Sequence, residues 1–286
     1  MVVSTLFVLM LGHFQVRVGE NFLFHPSPEV YEPQFPPPSA VVALTAEDGV
    51  VLRGMFLSHP KARGSVLFFG PNMNTVRGMT GELAAMRDRC RVNVLMVDYR
   101  GYGLSGGSPS FRTLESDSLA ALEWLRARPE AAGLPMVVEG YSLGSFCASM
   151  TAAKVPMAGV VLLASGTTAK EYLRYMVPWY AKPFVRVQFE PELAALDHRD
   201  WVRQSRAPLL VIAGKRDQVA HWTMSRDLYE AAPSPKKQFL CIPGLGHDTV
   251  FNDSQVMSAA DGFLDQFLRS CNGGDGSGTR LGRENS

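Results

Sequence analysis

Residues 135–153 read Pro135-Met-Val-Val-Glu-Gly140-Tyr-Ser142-Leu-Gly144-Ser-Phe-Cys-Ala-Ser-Met-Thr-Ala-Ala153. The apolar start predicts a short strand, and the small residues after Gly144 predict a helix. Gly140 and Gly144 flank Ser142 at the G-x-S-x-G spacing of a nucleophile elbow. A serine at the tip of a tight strand-to-helix turn has a strained backbone, so the residues two positions away must lack bulk. The following helix then directs its N-terminal N–H groups towards negative charge that forms beside the serine.

The pentapeptide alone is weak evidence, because G-x-S-x-G occurs by chance in about one chain in ten of this length. Its position is more informative. The motif lies between a β-rich run and a helical run, in the middle of an alternation of strands and helices, which is the context that a nucleophile elbow requires.

The composition is that of a globular protein with a sizeable core, since 46% of the 286 residues are hydrophobic and 19% are charged. A net charge of +1 with interspersed signs gives no basic stripe, and the sequence carries no nucleic-acid recognition module, so we expect no nucleic-acid partner. The cysteines have neither metal-binding nor C-x-x-C spacing: Cys90, Cys147, Cys241 and Cys271. We therefore expect no zinc site and no disulfide framework.

The N-terminus leaves a question open. Residues 2–11 are apolar except for Ser4 and Thr5, but a membrane span needs roughly 18 residues or more. A signal peptide is not indicated, because neither a positive start nor a small-residue cleavage site precedes Arg17. The segment is an incomplete anchor, an interfacial segment or a start within a longer hydrophobic leader. Membrane association through it stays open, and both a cytoplasmic and a membrane-associated location are compatible with the sequence.

The rest of the chain predicts one α/β domain over residues 39–271. The proline- and aromatic-rich residues 21–39 predict an extended arm, so that residues 1–38 form an apolar segment and an arm. Residues 41–45 and 50–57 predict an antiparallel hairpin around a Glu-Asp-Gly turn. Further strands are predicted at 65–69, 91–97, 135–139, 158–164, 208–213 and 237–242. Helices are predicted at 77–90, 115–128, 145–153, 222–232 and 253–270.

Apolar strands that alternate with helices indicate a mostly parallel sheet of about eight strands, with helices on both faces. The alternation breaks over residues 166–206, which we interpret as a short cap. This section is rich in large rings: Tyr172, Tyr175, Trp179, Tyr180, Phe184 and Phe189. They either cover the sheet or line an acyl pocket. Residues 272–286 are rich in Gly and Ser and predict a disordered tail.

The residues expected around a substrate are few, and they come from the elbow, the loop after residue 69 and the cap: Tyr141, Met73, Tyr172, Tyr175 and Trp179. Aminopeptidase activity also remains an alternative, because an acidic residue in the cap section could hold a substrate ammonium group. The candidates are Glu171, Glu190 and Glu192.

Polar residues follow two later strands at the edge where function gathers in open α/β sheets. Asp217 follows the strand at 208–213, and His247 follows the strand at 237–242. The chain order Ser142, Asp217, His247 is that of α/β-hydrolases and of no other common serine triad. Asp248 and Asp200 are rivals for the acid, but Asp248 is adjacent to His247 and would point elsewhere.

The other histidines lack such a placement, and we interpret them as structural or exposed: His13, His25, His59, His198 and His221. We likewise interpret Asp98 and Arg100 as residues that hold the loop supporting the site.

Four motifs together give a resemblance: Asp98-Tyr-Arg-Gly-Tyr-Gly-Leu-Ser105, Gly140-Tyr-Ser-Leu-Gly144, Leu210-Val-Ile-Ala-Gly-Lys-Arg-Asp217 and Ile242-Pro-Gly-Leu-Gly-His247. Over about residues 39–269 the chain resembles the α/β-hydrolase superfamily. Within it, the chain is similar to the short-lid serine hydrolases grouped as Bem46-like and serine-aminopeptidase-like. The resemblance implies an α/β-hydrolase fold and a Ser-His-Asp triad of Ser142, His247 and Asp217.

The resemblance also implies an oxyanion hole, with one departure. Such enzymes usually carry His-Gly-Asn after the third strand, where this chain has Gly70-Pro71-Asn72. Aligning Leu67-Phe-Phe69 with the family strand puts Asn72 on the donor position and Pro71 on the glycine. Proline has no N–H to donate, so this register matters. We expect the backbone N–H groups of Leu143 and Asn72 to be the donors.

We therefore expect a serine hydrolase that cleaves carboxylic esters or thioesters of an apolar acyl group through an acyl-enzyme. The chemistry needs no metal and no other cofactor, and the expected partner is a small acyl substrate. A peptidase or amidase is the alternative within enzymes. A fold relative that binds a ligand without turnover is the alternative outside them, because of Pro71.

Overall fold

A computed structural model describes residues 14–20, 23–177, 179–180 and 182–270. The strands are β1 (Phe14–Val18), β2 (Ser39–Thr45), β3 (Val51–Leu57), β4 (Ser65–Phe69), β5 (Asn93–Val97), β6 (Met136–Tyr141), β7 (Gly159–Leu163), β8 (Val185–Phe189), β9 (Leu209–Gly214) and β10 (Lys237–Ile242). The helices are α1 (Val76–Cys90), α2 (Phe111–Arg126), α3 (Leu143–Lys154), α4 (Ala169–Met176), α5 (Pro191–Ala195), α6 (His198–Gln204), α7 (Trp222–Ala231) and α8 (Ser254–Ser270). The predictions for residues 2–11, His13, Cys271 and residues 272–286 lie outside the described residues.

Eight strands form one sheet in the order β10-β9-β7-β6-β4-β5-β3-β2. β3 pairs antiparallel with β2 and with β5, and the other neighbours are parallel. This confirms the predicted sheet of about eight mostly parallel strands. Since parallel strands end at the same edge, the loops that follow β4, β6, β9 and β10 gather there.

Helices cover both faces of the sheet, as predicted. On one face Val138 of β6 belongs to the hydrophobic cluster that contains Leu122 of α2 and Phe146 of α3. On the other face Val137 belongs to the cluster that contains Leu83 of α1 and Leu264 of α8. Every residue of β4 is buried, which explains why its sequence is a continuous apolar run instead of an alternating one.

Two of the boundaries that differ from the prediction have clear local causes. α2 begins four residues before the predicted Glu115, because Ser110 and Thr113 form a reciprocal capping box. The usual signature of that motif has Glu or Gln at the third position, so the threonine concealed it. Arg91, predicted to begin a strand, instead ends α1 in the left-handed conformation with φ of 51°, and β5 starts at Asn93.

A second, two-stranded sheet was not predicted. β1 pairs in parallel with β8, with Phe14 opposite Val185 and Val18 opposite Phe189. It connects the start of the described chain with the section 166–206, which holds α4, β8, α5 and α6. Partners so far apart along the chain leave no local signal in either sequence.

The described helices were also compared with what a bilayer crossing requires. None of them combines the length and the apolar composition of a membrane span.

A carboxyl group lies buried in the middle of β6. Glu139 is 1% exposed, and within the described chain its Oε2 atom has no hydrogen-bond partner. It lines a cavity of about 120 Å³ together with Leu163, Phe251 and Met257. Burial, assisted by the nearby charge of Asp261, raises the pKa of Glu139 to about 8.

This raised pKa predicts how stability depends on pH. Between about 4.5 and about 8, folded Glu139 keeps a proton that the unfolded chain has released, so the free energy of unfolding falls as pH rises, by up to about 1.4 kcal/mol per unit. Glu139→Gln removes this titration. Its Tm relative to the parent protein should therefore rise steadily from pH 5 to pH 8.5, as measured by thermal unfolding.

The matched control is Glu47→Gln at an exposed turn, whose Tm difference should be the same at all these pH values. A Glu139→Gln difference that is independent of pH would contradict the buried, protonated carboxyl.

Candidate active site

The turn between β6 and α3 has the strained backbone that its sequence predicts. Ser142 has φ of 54° and ψ of −112°, in a region that L-residues rarely adopt. A Cβ atom on Gly140 would lie 2.2 Å from the carbonyl oxygen of Gly144, and one on Gly144 would lie 2.0 Å from that of Phe69. Both glycines are therefore required by space, because Gly140 lies against the start of α3 and Gly144 lies against the end of β4.

Ser142, His247 and Asp217 come together above the carboxyl edge of the sheet. The Oγ atom of Ser142 lies 2.9 Å from Nε2 of His247, and Nδ1 of His247 lies 2.7 Å from Oδ2 of Asp217. The three side chains thus form a continuous hydrogen-bonded line. Ser142 is buried, with 8% of its surface exposed.

Asp217 is held on its other oxygen as well. Its Oδ1 atom accepts the backbone N–H groups of Val219 and Ala220, each at 2.8 Å. Its side chain is fully buried, whereas that of His247 is 15% exposed. The two N–H donors fix the carboxylate so that Oδ2 faces the imidazole. The rivals do not make this contact, since Asp200 pairs with Arg203 on α6.

The phenol of Tyr141 anchors the histidine loop. Its hydroxyl donates to the backbone carbonyl of His247 at 2.6 Å, and its ring stacks on Phe251 with a centroid distance of 5.9 Å. Burial raises the pKa of Tyr141, so the hydroxyl remains a donor at all ordinary pH values. The sequence suggested Tyr141 as a substrate contact; in the structure its hydroxyl binds the loop that carries His247.

The loop Gly70-Pro71-Asn72 runs beside the elbow. Phe69 pairs with Gly140 across the sheet, so the three residues that follow β4 pass along the turn at Ser142. Within the described residues no acceptor takes the N–H of Asn72, and Met73, the next residue, has a left-handed φ of 69°. Leu143 is the first residue of α3, where a backbone N–H has no acceptor within the helix.

The side chain of Asn72 is fixed from behind by two parts of the chain. Its Oδ1 accepts the hydroxyl of Tyr102 at 2.5 Å, and its Nδ2 donates to the carbonyl of Leu23 at 2.6 Å. Tyr102 is fully buried and in turn accepts the N–H of His25 at 2.7 Å. The arm and the loop at 98–105 therefore set the position of Asn72, a role that sequence analysis missed.

Asp98 and Arg100 have the supporting roles that the sequence suggested. Asp98 accepts the first N–H of α1, from Val76, at 2.6 Å, and burial raises its pKa to about 6. Gly103 has φ of +50°, and a Cβ atom there would lie 2.1 Å from the Asp98 carboxylate. Arg100 forms ion pairs with Asp48 and Asp117. These contacts hold the loop that carries Tyr102.

The other side chains that the sequence suggested around a substrate differ from one another in their surroundings. Tyr172 is half-buried with its phenol against Gly166, and burial together with the charge of Asp217 raises its pKa. Tyr175 stacks on His221 at 4.1 Å and bonds Thr223 Oγ1 at 2.9 Å. Trp179 is 82% exposed and Met73 is 68% exposed. Trp179 is therefore not enclosed near Ser142.

The remaining described histidines have local partners. His198 is buried between the carbonyl of Gly166 at 2.8 Å and the hydroxyl of Ser149 at 2.7 Å, and burial lowers its pKa to about 4. His221 has its pKa lowered by burial and by Lys215, so it is neutral at pH 7. Neither lies in the line from Ser142 to Asp217.

The strand order, the strained serine after a central strand and the later acid and histidine are those of an α/β-hydrolase. The chain belongs to the hydrolase family described as Serine aminopeptidase, S33, whose model matches residues 61–203 and 193–255.

Similar proteins span most of the chain. The uncharacterized protein Rv2307c of Mycobacterium tuberculosis is 32% identical over 218 residues, which cover 76% of this chain and 75% of that protein. Protein bem46 of Schizosaccharomyces pombe is 27% identical over 227 residues, covering 77% and 75%. The structure of the Pyrococcus furiosus esterase Pf2001 superposes with a TM-score of 0.69 at 19% identity, covering 86% of this chain and 98% of that one. The last likeness establishes a shared fold.

Substitution of glycine by alanine should have opposite effects on stability at two positions, one in the contact between α3 and β4 and one on α1. Gly144→Ala should lower the free energy of unfolding by about 2–3 kcal/mol or more, because the new methyl overlaps the Phe69 carbonyl. Gly81→Ala on α1 has nothing within 4 Å and should raise it by about 0.5–1 kcal/mol through helix propensity. Urea unfolding measures both. Equal stabilities for the two variants would mean that the elbow is not closely packed.

Proposed function

We propose that the protein cleaves carboxylic esters or thioesters of an apolar acyl group, with Ser142 as nucleophile. The observation that carries the proposal is the line of hydrogen bonds from Ser142 through His247 to Asp217, at 2.9 and 2.7 Å. Membership of a hydrolase family supports it, as does the strained backbone that presents the serine hydroxyl.

The reaction proceeds in two halves. His247 Nε2 accepts the hydroxyl proton as Ser142 Oγ attacks the acyl carbon, while Asp217 orients the ring and stabilises its cationic form. The bond to the leaving oxygen or sulfur then breaks, and His247 protonates that atom. Water next attacks the acyl-enzyme, again giving its proton to His247. The acid leaves, and the proton returns to Ser142.

We assign the backbone N–H groups of Leu143 and Asn72 as the donors that bind the negatively charged oxygen of the tetrahedral intermediate. Both groups have no acceptor among the described residues, and the contact between β4 and α3 fixes the loop with Asn72 beside Leu143, the first residue of α3. Loss of one such donor typically costs about 10²–10³ in rate. In this assignment Pro71 is harmless, because the donor is the residue after it.

An apolar acyl group is favoured by the side chains around the site. Two exposed apolar side chains are close in sequence to residues of the site: Met73 follows Asn72, and Val219 is two residues after Asp217. Such apolar surface near a triad favours acyl chains over charged groups.

Peptidase activity is the second candidate, because the matching family is described as a serine aminopeptidase. The acidic residues that could hold a substrate ammonium are largely engaged: Glu171 accepts the hydroxyls of Thr167 and Thr168, and Glu190 pairs with Arg17. We therefore expect p-nitrophenyl acyl esters to be cleaved at least tenfold faster than aminoacyl p-nitroanilides. The reverse order would favour the peptidase.

A fluorophosphonate probe tests the nucleophile directly. It should label the protein covalently at one site, and Ser142→Ala should abolish both labelling and ester hydrolysis, because the probe reacts only with an activated serine. Gel fluorescence and intact mass measure the adduct. The control Ser116→Ala, at an exposed position on α2, should label like the parent protein. Persistent labelling of Ser142→Ala would contradict the assignment, and a folded parent protein that never labels would favour the non-catalytic binding protein.

The anchor on the histidine loop gives a further expectation. Tyr141→Phe leaves the carbonyl of His247 without its buried donor, which costs about 1–3 kcal/mol locally and loosens the ring relative to Ser142. We expect kcat to fall about tenfold with KM little changed in a steady-state ester assay. Tyr229→Phe on α7 is the matched control and should have parent kinetics. A fully active Tyr141→Phe would show that the anchor is dispensable.

A further inference from the structure

Three large rings are exposed just before β8. Trp179 is 82%, Tyr180 63% and Phe184 41% exposed, and the rings of Trp179 and Tyr180 lie 6.0 Å apart. We call Trp179, Tyr180 and Phe184 the cap rings. Tryptophan and tyrosine carry an apolar body and a polar tip, which suits them to the boundary between water and lipid. Such a cluster on the surface of a protein marks an interaction site.

The stretch of sequence that contains the cap rings carries an excess of positive charge. Residues 170–186 contain four basic side chains and one acidic side chain: Lys170, Arg174, Lys182, Arg186 and Glu171. All four basic residues are exposed, and among the described residues none of them forms an ion pair, whereas Glu171 is bound by Thr167 and Arg199. Residues 170–186 therefore carry an excess of three positive charges, whereas the net charge of the whole chain is +1. Anionic lipid headgroups complement this charge.

The start of β1 lies at the end of β8 that follows Phe184. Phe14 is opposite Val185 in the parallel pair of β1 and β8, so the chain enters β1 at the end of the sheet where Phe184 precedes β8. Residues 2–11 come directly before this point and contain no acidic side chain. They could not neutralise the basic residues around the cap rings, whereas lipid phosphates could.

The section is also joined to the candidate active site. Tyr175 stacks on His221 and bonds Thr223, in the region that follows Asp217. Val219, 40% exposed, lies in that same region, and its N–H binds Asp217. Through Tyr175, the helix α4 that precedes the cap rings thus contacts the region that follows Asp217.

We propose that the cap rings and the basic residues Lys182 and Arg186 dock on an anionic lipid surface. The membrane is the occupant, and the rings enter its interface while the two cations contact headgroups. Docking in this orientation would bring acyl lipids to the border of the active site, a consequence that rests on the proposed function. The docking itself does not depend on catalysis.

Vesicle sedimentation of the full-length protein tests the docking. Binding to phosphatidylcholine vesicles containing 30% phosphatidylglycerol should be at least tenfold stronger than to phosphatidylcholine alone and should weaken in 0.5 M salt. Tyr180→Ser with Phe184→Ser should reduce it at least tenfold. Lys182→Gln and Arg186→Gln should each reduce it about fivefold on anionic vesicles only. Two exposed residues elsewhere, Lys61→Gln and Val41→Ala, are controls with parent binding.

A fluorescence measurement keeps the result independent of folding and of enzyme activity. Lipids with brominated acyl chains should quench the tryptophan emission of the parent protein. Trp179→Phe, which keeps an aromatic ring, should bind equally well and lose most of this quenching.

Four outcomes would overturn the proposal. The first is binding that ignores lipid charge. The second is binding lost in Phe7→Ser with Leu9→Ser but retained in the cap variants, which would make the N-terminal residues the sole anchor. The third is self-association dispersed by the cap variants, which would make a second copy the occupant. The fourth is a Trp179 inaccessible to acrylamide without lipid, which would mean that the chain covers its own rings. If the parent protein binds vesicles as expected but hydrolyses no ester, only the proposed function is rejected and the docking proposal stands.

Discussion

The structure depends on the close approach of two backbones, at the end of β4 and the start of α3. The carbonyl oxygen of Phe69 lies where a side chain on Gly144 would begin, and Gly140 meets the same turn from the strand side. This contact holds Ser142 in a backbone conformation that an isolated chain would leave at once. It also brings the loop with Asn72 alongside the first N–H groups of α3, so one packing contact positions Ser142 and the proposed oxyanion donors together.

Around this contact, each polar side chain of the site is held by a second set of bonds. Asp217 is fixed by two backbone N–H groups, His247 by the hydroxyl of Tyr141, and Asn72 by Tyr102 and the carbonyl of Leu23. These supports come from different loops, so the geometry is shared by the whole upper edge of the sheet. A positioned donor network lowers the reorganisation needed when charge develops during a reaction.

The buried carboxyl group of Glu139 and the exposed cations of residues 170–186 have different electrostatic consequences. Beneath the sheet, Glu139 is kept neutral at pH 7 by burial. In the cap, exposed cations without described partners lie beside exposed rings. The buried carboxyl makes folding sensitive to pH, whereas the surface cations affect only what approaches the molecule. The group that makes stability depend on pH and the surface proposed to dock on lipid are therefore separate parts of the chain.

The sequence by itself determined the fold class, the sheet of about eight strands and the family, because apolar periodicity and the spacing of glycines around Ser142 are local requirements. The same holds for the candidates Asp217 and His247, which stand at strand ends. Only the tertiary structure decided that Tyr141 binds the loop of His247, that Tyr102 and the arm hold Asn72, and that β1 pairs with β8. These contacts join residues far apart along the chain, and nothing in the neighbourhood of either partner records them.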